Sequence, residues 1–285
     1  MKYKLLALDV DGTILMSNHS LSKVTEQAIT QLVKQGVHVT LATGRAYPSA
    51  KSLAQQFQIS APLVSHDGAF VADPKTDQVL YVQRIPFEIA VRITDILVAH
   101  GLDVMVLHES YAVTNRTWKW TDLFPLLNAW TLRQLWKNQY PLKIQASRLL
   151  AGYVRKHEVC APKIFVTGDE KRLSAARREL ANAELTGVRV TASGANNMEI
   201  LPEGISKASG LAVVSERLAI LPEEIVAVGD NYNDAEMLQF AGMGVAMGNA
   251  PDDLKQLARH VTETNDRHGV AEVIEKFFGV KMTTF

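Results

Sequence analysis

The sequence predicts an α/β protein: a parallel sheet covered by helices, interrupted midway by a second α/β segment. Three observations predict it. Short apolar runs alternate with helically spaced ones up to about residue 80, the rhythm breaks after about Arg84, and it resumes from Gly204. Strand–helix–strand repetition with short links favours parallel pairing, because the helix carries the chain back across one face of the sheet.

Residues 5–10 form an apolar run long enough for a buried strand and too short for a helix. After Ser22, the residues Val24, Ala28, Ile29, Leu32 and Val33 fall on helical spacing, and Gly36 stops the helix. Residues 37–42 read as a strand, a helix is entered near Pro48, and residues 63–65 make a third strand. Residues 69–72 and 79–82 flank a turn of Pro, Asp and Lys and predict a hairpin. In the interruption, residues 86–100 predict an amphipathic helix ended by Gly101, followed by strands over 102–108 and 111–114. A stretch from Trp118 to Trp136 holds all four tryptophans, and a strand at 163–167, a helix over 170–183 and a strand at 188–192 follow. The resumed alternation predicts helices over 206–219, 233–241, 251–258 and 270–278, with strands at 225–229, 244–247 and near 260–262. The expected division is a core of residues 1–83 and 192–285 with an inserted domain of residues 84–191.

Composition narrows the function classes. The 285 residues carry 30 Lys plus Arg against 30 Asp plus Glu, which removes any global case for nucleic acid or an anionic membrane as main partner. A single cysteine, Cys160, rules out an intramolecular disulfide and a multi-cysteine metal site. Asp9 and Asp11 interrupt the first apolar run too soon for a signal peptide or a spanning helix, so a soluble cytoplasmic protein is expected.

Four short motifs carry chemistry. In Leu8-Asp9-Val10-Asp11-Gly12-Thr13, two aspartates two apart at a strand's end put both carboxylates on one side of the sheet. Gly12 permits a close turn around a bound group, and Thr13 offers a hydroxyl and an amide. Such carboxylates repel unless a cation lies between them or one is protonated, and magnesium, a hard cation that tolerates phosphate, suits the pair. Thr43-Gly44-Arg45, again at a strand end, presents a hydroxyl and helix-start amides to an anion. Lys207 stands at a helix start, where a cation is electrostatically misplaced unless an anion accompanies it. Gly229-Asp230-Asn231-Tyr232-Asn233-Asp234 delivers two further acids and an amide at another strand end. Each motif alone is an ordinary turn or helix start; the four together are not.

In order and content they resemble the haloacid-dehalogenase superfamily of phosphohydrolases, most closely its Cof-type group, subfamily IIB. Asp9-Val-Asp11-Gly-Thr13 is similar to its first motif, Thr43-Gly-Arg to its second, Lys207 to its third and Gly229-Asp230-x-x-Asn233-Asp234 to its fourth. Met198-Glu-Ile, Ala246-Met-Gly-Asn-Ala and Gly269-Val-Ala are also similar to stretches of that group. The resemblance implies a doubly wound, Rossmann-like core and an α/β cap. It implies a magnesium-dependent phosphomonoester hydrolase acting on small phosphorylated metabolites, sugar phosphates foremost, with Asp9 as nucleophile and Asp11 as general acid and base. Magnesium would be held by the Asp9 carboxylate, the Asp11 backbone carbonyl and Asp230, with Asp234 supporting through water, and the phosphoryl group by Gly12, Thr43, Gly44, Lys207 and Asn233. A sugar phosphomutase of similar fold and a non-enzymatic metabolite binder are the alternatives. One departure stands out: the group's Asn-Gly-Ala is here Asp67-Gly68-Ala69, and an ionised aspartate cannot donate. Asp67 then either meets a donor on the substrate or makes a turn. Trp118, Trp120, Trp130 and Trp136, with Arg116 and Arg133, offer an aromatic platform or simply packing, while Lys137, Lys143 and Arg148 read as a solvated face.

Overall fold

The computed structural model describes residues 2–116, 143–192 and 196–280. The aromatic segment with its four tryptophans, Arg133 and Lys137 lies outside these residues. The described elements run in chain order as β1 (Leu5–Leu8), α1 (Lys23–Lys34), β2 (His38–Leu41), α2 (Tyr47–Gln56), β3 (Leu63–Ser65), β4 (Phe70–Ala72) and β5 (Val79–Val82). Next come α3 (Phe87–Ala99), β6 (Asp103–Leu107), β7 (Tyr111–Thr114), β8 (Lys143–Ala146), α4 (Leu150–Lys156), β9 (Lys163–Thr167), α5 (Glu170–Asn182), β10 (Val188–Thr191) and β11 (Asn197–Pro202). The chain finishes with α6 (Lys207–Leu218), β12 (Ile225–Gly229), α7 (Ala235–Phe240), β13 (Met243–Ala246), α8 (Asp252–Leu257), β14 (His260–Val261) and α9 (Gly269–Phe278). Two compact units result: Met1–Tyr81 with Ser206–Phe285, and Val82–Ile205.

The first unit is built on a five-stranded sheet in the order β14-β13-β12-β1-β2, every neighbouring pair parallel. All four residues of β1 are buried, which is why an unbroken apolar run makes a strand here: both faces are covered. Each of its leucines contributes roughly 2 kcal/mol by leaving water. Helix α1 starts where Ser22 Oγ accepts the Val24 amide at 3.1 Å, and it turns Thr25, Ala28, Ile29 and Leu32 inward. Leu8 lies opposite both Val228 and Leu41, so the carboxyl ends of β12, β1 and β2 are level. Because β2 and β12 flank β1 on opposite sides, the chain segments leaving β1 and β12 border a crevice at the point where strand order reverses, the usual ligand position in such sheets. A small sheet β3-β4-β5 joins this edge through a bridge between Ala42 and Val64.

The second unit is a mixed six-stranded sheet in the order β10-β11-β9-β6-β7-β8. Ala90, Ile93 and Leu97 of α3 and Leu173 and Ala176 of α5 bury against Val104, Val106, Ile164, Val166, Met198 and Ile200. The sequence reading ended the insertion at residue 191, whereas this unit runs to Ile205. The reason is β11, which pairs antiparallel with both β9 and β10. Its polar–apolar alternation, Asn197-Met198-Glu199-Ile200, is only four residues long before Leu201 and Pro202, and the strand buries its polar Glu199 as well. Strand β8 and helix α4, which contains Gly152, were missed as well. Among the described residues no helix is long and apolar enough to cross a membrane.

Candidate active site

Asp9 follows β1 directly and extends its ladder, its amide donating to the Val228 carbonyl at 3.0 Å. The side chain is buried, and Lys207 Nζ donates to its Oδ1 at 2.7 Å. The same ammonium donates to Asp234 Oδ1, also at 2.7 Å. Lys207 opens α6, whose Ser206 cap is closed by mutual hydrogen bonds with Ser209. Its unfavourable place at a helix start is thus matched by two carboxylates. Asp234 spends its other oxygen on the loop after β12, where Oδ2 accepts the amides of Asp230 and Asn231, each at 3.0 Å. The expected helix from Asn233 begins instead as a short 3₁₀ turn, Tyr232–Asp234, and this turn folds the Asp234 carboxylate back.

Asp230 stands across the crevice from the β1 loop. Thr13 Oγ1 donates to its Oδ1 at 2.8 Å. Gly12, at φ +84°, comes so close that a Cβ there would collide with the Asp230 carboxylate, so only glycine fits both the turn and the approach. Asn249, after β13, donates from Nδ2 to the Gly12 carbonyl at 2.9 Å.

The two aspartates of the first motif do not share a setting, contrary to the sequence expectation. Asp9 is buried with Lys207, whereas Asp11 is exposed and held by Arg45, Nε to Oδ2 at 2.7 Å and Nη2 to Oδ1 at 2.5 Å. The chain turns from Val10, whose carbonyl accepts the Ile14 and Leu15 amides, each at 3.0 Å, and this turn separates them. Thr43, Gly44 and Arg45 lie before α2 rather than within its first turn, and Thr43 Oγ1 accepts the Arg45 amide at 3.2 Å. Asp67 makes a turn in the left-handed region, φ 53°, and its amide donates to the Thr43 carbonyl at 3.0 Å. Its Oδ1 accepts from Asn233 Nδ2 at 2.9 Å, so Asn233 is oriented by Asp67. In the sequence Arg45 stands out only as part of a motif, and Asn249 only as part of the Ala246-Met-Gly-Asn-Ala stretch. Their side-chain partners lie too far away in sequence to be read from spacing.

The electrostatics follow from burial and proximity. Burial, then the Asp234 and Asp230 charges, push the Asp9 carboxyl well above its usual range against the pull of Lys207. Burial together with Asp234 and Asp11 raises Asp230 to about 6, although the Thr13 hydroxyl opposes the rise. Burial would strip Lys207 of its proton, but Asp234, Asp9 and Asp67 outweigh it and the ammonium is held above its ordinary pKa. For Asp11, the hydrogen bonds and charge of Arg45 overcome desolvation and hold the carboxyl below its usual value. One oxygen each from Asp9, Asp230 and Asp234 lie within 4.8 Å of one another. Clustered hard-oxygen donors whose negative charge exceeds the nearby positive charge are the donor set a magnesium ion takes. The Asp11 carboxylate is not in that group, because it is turned to Arg45.

A parallel α/β core that collects acidic loops and a buried lysine at its strand ends gathers them where such sheets bind their ligands. The chain belongs to the haloacid dehalogenase-like hydrolase family, whose profile matches residues 6–274. It is 32% identical over 278 residues to the stress response protein YhaX of Bacillus subtilis, covering 98% of this chain and 94% of that protein. It is 31% identical over 283 residues to the 5-amino-6-(5-phospho-D-ribitylamino)uracil phosphatase YitU of the same organism, covering 97% and 98%. A solved haloacid dehalogenase-like hydrolase from Bacteroides thetaiotaomicron matches with a TM-score of 0.82 at 28% identity, over 97% of this chain and 100% of that one.

Proposed function

We propose that this phosphatase of the haloacid dehalogenase-like family hydrolyses phosphomonoesters of small metabolites, sugar phosphates foremost, through an aspartyl-phosphate on Asp9. The observation that carries the reading is Lys207, fully buried between Asp9 and Asp234 at the carboxyl end of β1. A charged lysine enclosed this way offsets part of the charge of the nucleophile and of a phosphoryl group brought to it, which is what phosphoryl transfer demands.

In this mechanism an Asp9 oxygen attacks phosphorus as the bond to the ester oxygen breaks, and Asp11, which carries a proton only once the substrate loosens its pairing with Arg45, gives that oxygen its proton. Water then attacks the phosphorus of the aspartyl-phosphate while Asp11 takes up its proton, and inorganic phosphate departs as Asp9 is regenerated. Lys207, Thr43, Asn233 and the amides near Gly12 and Gly44 hold the phosphoryl oxygens. Asp9, Asp230 and the Asp11 carbonyl would hold magnesium, with Asp234 in support. The ion would offset the repulsion between an anionic nucleophile and an anionic phosphoryl group. In the same reading Val82–Ile205 is the substrate-selecting cap.

Phosphate release across sugar, sugar-alcohol, nucleotide and cofactor phosphates, with magnesium and with EDTA, tests the proposal. A phosphorylated ribitylamino-uracil belongs in the panel, because a relative is named for that substrate. Release from some members, lost with EDTA, is the expected result. Isomerisation of a sugar bisphosphate without net phosphate release would replace it with a phosphomutase.

A further inference from the structure

We infer that Asn249 is a positioning residue, whose side-chain amide clamps the β1 loop to the loop after β12 and so sets the cation-binding geometry of Asp230. The inference rests on the functional reading above for its catalytic consequence, but not for the clamp itself.

The direction of the amide follows from its partners. Asn249 Oδ1 accepts the backbone amide of Asn265 at 3.1 Å, so Nδ2 must face the other way. There it donates to the Gly12 carbonyl at 2.9 Å, with Asp230 Oδ2 at 3.5 Å on the same side. Both groups accept only, and a donor with two hydrogens suits the gap between them. The position of Asn249 is itself fixed. The Met247 amide donates to the Gly229 carbonyl at 2.9 Å, and the Gly248 amide donates to the Glu263 carbonyl at 3.1 Å. A Cβ on Gly248 would meet the Thr262 carbonyl and the Thr264 amide, each at 2.9 Å, so the segment can lie this close only as glycine.

A second asparagine completes the brace. Asn265, whose amide orients Asn249, donates from Nδ2 to the Leu15 carbonyl at 2.9 Å at the far end of the β1 loop. The stretch from Gly12 to Leu15 is therefore gripped at both ends by side chains of the C-terminal part of the chain, Asn249 and Asn265. Asp230 is held from two sides, Oδ1 by Thr13 and Oδ2 by the approach of Asn249. Partners of this kind orient a metal-binding carboxylate, and losing one costs about 10- to 100-fold in affinity or activity.

Two variants of the full-length chain separate the clamp from simple support. Asn249→Asp keeps an oxygen for the Asn265 amide but cannot donate to Gly12, whereas Asn249→Ala loses both. Binding of Mn2+ to the substrate-free protein, followed by electron paramagnetic resonance, is expected to weaken about tenfold in Asn249→Ala. Turnover at saturating magnesium is expected to fall at least about tenfold in both variants, with KM little changed. Circular dichroism should show Asn249→Asp melting near the wild-type temperature. Wild-type Mn2+ affinity in folded Asn249→Ala, or wild-type turnover in Asn249→Asp, would overturn the clamp. If the wild-type protein releases no phosphate from any substrate, the functional reading fails, and the Mn2+ comparison still decides the clamp.

Discussion

The Lys207 ammonium lies 2.7 Å from one oxygen of Asp9 and 2.7 Å from one oxygen of Asp234, with all three side chains buried. Removing one member of such a buried cluster leaves the rest uncompensated, typically at about 3–5 kcal/mol. Lys207→Met, which keeps much of the volume, should therefore lose several kcal/mol of stability as well as all turnover. Urea denaturation followed by circular dichroism measures the first, and an unchanged midpoint would show that Lys207 does not bear on the fold.

Asp9→Asn has the opposite stability signature. Burial and two neighbouring carboxylates hold the Asp9 carboxyl well above its usual range, so a neutral, nearly isosteric amide relieves repulsion while still accepting from Lys207. We expect a melting temperature no lower than wild type and no detectable phosphate release. Retained turnover would remove Asp9 as the nucleophile.

Arg45 grips Asp11 through two hydrogen bonds, a geometry only a guanidinium provides. If Arg45 works by orienting Asp11 toward the leaving oxygen, Arg45→Lys should slow alkyl phosphates by about tenfold or more, a part of what proton transfer contributes. Its effect on p-nitrophenyl phosphate, whose leaving group needs no proton, should be much smaller. Equal losses on both substrates would instead place Arg45 on the phosphoryl group.

Acid should loosen the second unit through Glu109. Burial would raise its carboxyl, but hydrogen bonds from His108 and from its own amide, with the Arg84 charge, bring it down to about 2. The native state thus favours the ionised form, so the stabilisation is present above the unfolded value near 4.5 and is lost as pH falls toward 2. The shift corresponds to at most about 3 kcal/mol. Glu109→Gln should lower the melting temperature at neutral pH and flatten its dependence between these limits. An unaltered acid profile would show that the Arg84–Glu109–His108 cluster contributes little.

Local pattern alone made much of this protein legible. The strands at residues 5–8, 38–41, 63–65 and 225–229 follow from short apolar runs, and α1 and α9 from apolar residues at helical spacing. These signals are readable because hydrogen bonding within an element and burial of one face depend on neighbours a few residues away. The placement of Asp9, Thr43 and Asp230 just beyond strand ends was readable for the same reason. Strand β11 was not, because its alternation spans only four residues and its pairing with β9 and β10 is what makes it a strand of the second unit, which runs to Ile205 where the sequence reading drew the division at 191.

Pairing across the sheet was decided by tertiary structure. Lys207 meets Asp9 from 198 positions away, Thr13 meets Asp230 from 217, and Asn249 meets Gly12 from 237. No spacing rule encodes these contacts, since they depend on β12 lying beside β1 and β13 beside β12. The sequence by itself determined that two aspartates follow the first strand. Only the folded sheet, with the chain turning from Val10 onward, decided that Asp9 goes inward to a buried lysine and Asp11 outward to an arginine.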